Sequence, residues 1–107
     1  MLTLTTTTSG ATRTIAFAGE LDHSTVHRLH EAVAGLGLAR GDRLVLELSA
    51  LTFCDSSGLA GFLAAHEIAS AAGAGLTLAN PPRILTRMLR FTGLDSVFAT
   101  EGTAATG

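Results

Sequence analysis

The stretch Phe53-Cys54-Asp55-Ser56-Ser57-Gly58-Leu59 sets two adjacent hydroxyls and a carboxylate between an apolar lead-in and a helical run. Three chemistries suit such a corner. Asp55 or Ser56 can cap the helix by accepting from its first free N–H groups. Ser56 can be a hydrolase nucleophile on a strand-to-helix elbow. A hydroxyl at a helix N-terminus can also accept a phosphoryl group, because the dipole and free N–H groups tolerate added negative charge. The elbow needs glycines two residues before and after the serine. Gly58 fills the later place, but Cys54 stands in the earlier one. The four histidines fall at 23, 27, 30 and 66, none as late in the chain as that catalytic order requires. We therefore expect no hydrolase activity and no catalytic residue.

Other residues with chemical potential read more plainly. If His23 lies within a helix, then His23, His27 and His30 share an arc at spacings that can bind zinc. That arc borders the apolar stripe and has no evident fourth ligand, so a metal site is not expected. Arg83, Arg87 and Arg90 fall on one helix face, opposite Ile84, Leu85, Met88 and Leu89, as a solvated helix back does. Cys54 is the single cysteine, which rules out an internal disulfide. In an apolar setting it is expected to be a small core residue, in keeping with a reducing compartment. No glycine-rich phosphate loop is present, and no cofactor is expected.

The elements that position these residues follow from periodicity. Leu2–Thr8 and Arg13–Leu21 read as strands joined by a Ser-Gly turn, a hairpin. Val26, Leu29, Val33 and Leu36 recur at helical spacing, with Asp22 or Ser24 as cap and Gly37 as stop. Asp42–Ser49 is a strand with Leu44, Leu46 and Leu48 on one face and Glu47 on the other. A helix is expected over residues 57–72, a strand at 75–80, and a helix over 81–93 that begins with proline and stops at Gly93. Residues 94–100 read as a short strand or turn. The order β-β-α-β-α-β-α predicts an α/β fold, a small mixed sheet of about four to five strands with an N-terminal hairpin and helices mainly on one face. The single domain is expected over residues 1–100, with residues 101–107 a frayed tail. Parallel crossovers place strand ends on one edge. That brings Asp22 and His23 to the same edge as Asp55, Ser56 and Ser57.

Composition sets the outer bounds. The 107 residues suffice for one core, and 47% are hydrophobic. All seven basic residues are arginine, and the formal net charge is −2. A nucleic-acid binder would show a basic face, so nucleic acid is not an expected partner. The first ten residues do not form a signal peptide, and no apolar run is long enough to span a bilayer. A cytoplasmic protein without membrane insertion is expected.

Three segments together resemble the bacterial anti-sigma factor antagonists, single-domain members of the STAS superfamily. They are Ala18–Leu29 (AGELDHSTVHRL), Leu44–His66 (LVLELSALTFCDSSGLAGFLAAH) and Arg83–Phe98 (RILTRMLRFTGLDSVF). The resemblance runs from about Leu2 to Thr100. Its specific part is Gly-Glu-Leu-Asp upstream combined with Asp-Ser-Ser-Gly-Leu. It implies that Ser56 is phosphorylated by an anti-sigma factor with serine kinase activity and restored by a separate serine phosphatase. It also implies that the unphosphorylated form binds that anti-sigma factor and frees its sigma factor. Partner binding would then involve Asp22, His23, Asp55, Ser56, Ser57 and Gly58. Ala60 and Cys54 depart from the family pattern, which more often has a second glycine and a bulkier apolar residue there. Related single-domain proteins are constitutive adaptor subunits of lipid-transport complexes or stress-sensing assemblies, the alternative reading.

Overall fold

The computed structural model describes residues 1–102. Strands β1 (Leu2–Ser9) and β2 (Thr12–Leu21) form the expected antiparallel hairpin. Its two-residue turn is Gly10–Ala11, with Gly10 at φ +59, a backbone region that glycine enters without a Cβ clash. Then follow α1 (Val26–Ala34), β3 (Arg43–Cys54), α2 (Ser56–Ala71), β4 (Gly75–Ala79), α3 (Arg83–Thr92), a short 3₁₀ turn (Leu94–Ser96) and β5 (Ala99–Glu101). The sheet order is β1-β2-β3-β4-β5, antiparallel at the first pair and parallel at the other three.

Three parallel crossovers advance in the same direction across this sheet. With the usual right-handed connection each deposits its helix on the same side, so α1, α2 and α3 share one face. The helix side of the sheet carries Ile15, Phe17, Leu44, Leu46, Leu48 and Leu78, all buried. Phe62 of α2 meets Phe17 edge to face at 6.0 Å and Phe98 at 6.5 Å, tying the central helix to the sheet and to the residue just before β5. Gly61 lets α1 close on α2: a Cβ there would lie 2.5 Å from Val26 Cγ2.

The structure corrects several boundaries. Strand β3 runs on to Cys54, past Ser49, because its second half pairs with the end of β2 through two register shifts. Helix α1 begins only at Val26, and His23 sits in the turn before it, so the three histidines do not form one helical arc. Val45, Thr77 and Ala79 are buried on the face without helices, so that face is less open than strict alternation implies. There Asn80 Nδ2 donates to Glu47 Oε2 at 2.9 Å, and the Arg43 guanidinium reaches Glu101 at 2.8 Å. Glu101 belongs to β5 rather than to a tail. Residues 103–107, the rest of the expected tail, lie outside the described residues. No described helix is long and apolar enough to cross a membrane.

Candidate functional site

Leu21 and Cys54 are register partners at the ends of β2 and β3. The residues that follow them, Asp22 and Asp55, therefore emerge side by side at one sheet edge. The backbone N–H of Asp55 donates to Leu21 O at 3.3 Å, closing the gap between the two loops. The edge thus brings together Asp22, His23, Asp55, Ser56, Ser57 and Gly58, as the order of elements predicts.

Each aspartate has a defined structural task. Asp55 is the N-cap of α2 and accepts from the Gly58 N–H at 3.1 Å. Asp22 folds its carboxylate onto its own turn. It accepts from Ser24 N at 2.9 Å, from Ser24 Oγ at 2.7 Å and from Thr25 Oγ1 at 3.3 Å. The hydrogen bonds from Ser24 favour the ionised form and hold the Asp22 carboxyl below its ordinary range, against a smaller opposing effect of desolvation. Residue Thr25, not Asp22 or Ser24, is the N-cap of α1, and its hydroxyl donates instead to Glu20 O at 2.9 Å.

The two serines differ. Ser56 is the first residue of α2 and is exposed, whereas Ser57 is half-buried. Gly58 is buried, and a Cβ there would lie 2.5 Å from Cys54 Sγ and 3.0 Å from Leu21 O. That close approach lets α2 start directly at the end of β3, with Asp55 alone between them. Burial, together with the nearby Asp55 charge, pushes the Cys54 thiol up to about 12. It stays protonated at neutral pH and is a poor nucleophile. Among the described residues no histidine hydrogen-bonds to Ser56 or Ser57. The corner offers an accessible hydroxyl at the start of a helix.

Sequence reasoning missed a second part of this surface. An open groove of about 560 Å³ runs between the start of α2 and one side of α3, lined by Ser56, Leu59, Ile84, Arg87, Met88, Phe91 and Thr92. Phe91 is 95% exposed and Ile84 62% exposed, which places Ile84 outside the core stripe expected for it. Positions 84, 88 and 91 recur at helical spacing, and that was the available signal. From α3 the core fully buries Leu85 and Leu89 and half-buries Met88, so the helix carries more apolar residues than one face can bury. Exposed apolar surface beside polar groups is characteristic of interaction sites.

Residues 4–99 match the family model described as "Mlab, STAS domain", and the chain belongs to that family. Among solved structures, the chain is similar to an anti-sigma factor antagonist from Mycobacterium paratuberculosis. They share 27% identity at a TM-score of 0.78, covering 96% of this chain and 87% of the other. It is also similar to a candidate anti-sigma factor antagonist from Thermotoga maritima, at 20% identity, TM-score 0.80, and 94% and 86% coverage. A third neighbour is the phosphorylated form of the Bacillus cell fate determinant SpoIIAA, at 22% identity, TM-score 0.65, and 94% and 90% coverage. The fold is thus that of the STAS domains, shared with neighbours that are anti-sigma factor antagonists. No curated protein matches the chain.

Proposed function

We propose that this STAS-domain chain is an anti-sigma factor antagonist switched by phosphorylation of Ser56. The observation that carries the reading is the exposed Ser56 hydroxyl at the first position of a capped helix, on an edge shared with Asp22 and beside an exposed apolar groove. The 27% identical antagonist supports the general role. The partner is an anti-sigma factor with serine kinase activity, and a serine phosphatase resets the switch. Both meet the chain in the cytoplasm. The chain is a substrate and a binding module, not a catalyst. Transfer moves the γ-phosphoryl group of ATP to Ser56 Oγ: a new P–O bond forms, ADP leaves, and the hydroxyl proton is released.

The added group carries about −1.5 to −2 charges at neutral pH, next to Asp55 and near Asp22. The start of α2 compensates part of that charge within the chain. A partner surface shaped for a neutral hydroxyl does not. Burying an unpaired charge there costs several kcal/mol, and each ~1.4 kcal/mol is tenfold in affinity. Binding is lost without refolding.

The test is incubation with candidate anti-sigma factor kinases and ATP, with phosphate mapped by mass spectrometry. Phosphate is expected on Ser56 in the parent and in Ser57→Ala, and is expected to be absent in Ser56→Ala. Phosphate on Ser57 alone would refute the assignment. A second reading draws on the matched model being described as Mlab rather than as an antagonist. It makes the chain a constitutive adaptor, as in a lipid-transport complex or stress-sensing assembly, and predicts stable binding with no phosphate turnover.

A further inference from the structure

Helix α3 holds three arginines, and the sequence has no Asp or Glu between Glu67 and Asp95. Arg83, Arg87 and Arg90 are all exposed. None of them takes part in an ion pair among the described residues. Only Arg87 lines the groove together with Ser56. It stands three residues after Ile84 and four before Phe91, so it shares their strip of the helix surface. Arg90 lines a separate cleft with Asp95 and Thr100. The groove therefore pairs one accessible hydroxyl with one uncommitted guanidinium. At the start of α2 the Gly58 N–H is already taken by Asp55. A phosphate on Ser56 would meet a partly used helix end and an adjacent carboxylate, so the helix alone compensates it incompletely. A guanidinium presents a planar fork of donors that matches phosphate oxygens.

We infer that Arg87 receives the phosphoryl group of phosphorylated Ser56, pairing with it across the groove and covering the apolar strip of Ile84, Met88 and Phe91. The inference rests on the reading that Ser56 is the modified residue. It adds a second effect to the switch. Charge repulsion alone leaves the apolar strip open, whereas the pairing withdraws it from a partner. Among the described residues of the unmodified chain Arg87 forms no ion pair, and the strip stays available.

The test installs phosphoserine at position 56 of the full chain by codon suppression, so no kinase is needed, and follows the phosphate by ³¹P NMR against pH. A nearby guanidinium lowers the second phosphate pKa by about one unit. The phosphate is expected to titrate about one unit lower in the parent than in Arg87→Gln, and Arg83→Gln is expected to behave as the parent. Phosphorylation should shift the Met88 methyl and Phe91 ring resonances in the parent and leave them largely unmoved in Arg87→Gln. Identical titration in the parent and Arg87→Gln overturns the pairing, as does an equal shift in Arg83→Gln. A chain that no kinase modifies at Ser56 would sink the phosphoswitch reading, while the titration would still decide the pairing.

Discussion

At the ends of β2 and β3 an aspartate follows each of two register partners, Leu21 and Cys54, yet the two corners are built differently. Asp22 spends its carboxylate on Ser24 and Thr25, and three more residues pass before α1 begins at Val26. Asp55 caps α2 directly, so Ser56 is already the first helical residue. Neighbouring positions and the same residue type thus yield a self-contained turn in one case and a helix start with an exposed hydroxyl in the other. The difference lies in what packs beneath. Gly58 lets α2 approach Cys54 Sγ and Leu21 O more closely than a side chain allows. At the α1 corner the Thr25 hydroxyl bonds back to β2, and the helix starts farther along.

The comparison breaks most visibly at Gly58. In an open helix Gly→Ala gains about 1 kcal/mol. Here the new Cβ meets sulfur and a backbone oxygen, so Gly58→Ala should lose about 1–3 kcal/mol in urea unfolding, the range of overpacking. Adding Cys54→Ala removes the sulfur and should recover part of the loss. A Gly58→Ala protein as stable as the parent would mean that close packing does not set the corner apart.

The capping roles differ by a smaller amount. Asp55→Ala should cost about 1 kcal/mol as a lost N-cap. Asp22→Asn keeps an acceptor for the turn and should change the melting temperature little, while partner binding or phosphorylation weakens. A large thermal shift in Asp22→Asn with binding intact would make Asp22 purely structural. Its pH dependence has a fixed sign. Because the folded carboxyl lies below its ordinary value of 3.8, its stabilisation is present above that value and is lost as pH falls through the folded pKa. The stability gap between the parent and Asp22→Asn should therefore narrow below pH 3.8 in urea titrations, and a gap that widens in acid contradicts the turn geometry.

The smallest effect is at Cys54, where only reactivity is read. With its thiol pushed up to about 12, native protein at pH 8 should react with a thiolate-directed reagent far more slowly than urea-unfolded protein. Equal rates would show that the β3–α2 corner is open.

Much of this was legible in the sequence for physical reasons. Alternating strands and periodic helices fixed the order of elements, and parallel crossovers brought Asp22 beside Asp55. The misreadings came where local chemistry overrides periodicity. Asp22, Ser24 and Thr25 have cap-forming side chains, and here they build a turn instead, which delays α1. The Ser-Ala step at positions 49 and 50 looked like a strand end, yet pairing with β2 carries β3 on to Cys54. The Ile84–Phe91 strip was hidden because a ten-residue helix spreads its apolar positions over more arc than the core uses. The family resemblance singles out Ser56, but the residues alone rank Ser56 and Ser57 only by exposure, which a sequence does not display.

The central claim is that charge at Ser56 ends partner binding while the fold persists. Calorimetry decides it most directly, comparing unmodified chain, Ser56→Ala, chain with phosphoserine installed at 56, and Ser56→Asp against the anti-sigma factor kinase, with thermal melts run alongside. The account predicts that Ser56→Ala binds as the parent does. Phosphoserine and Ser56→Asp should weaken binding at least about tenfold, an energy of ~1.4 kcal/mol or more, with melting unchanged within a few degrees. Equal affinity of the modified and unmodified chains, or loss of binding that tracks loss of the folded state, would contradict it.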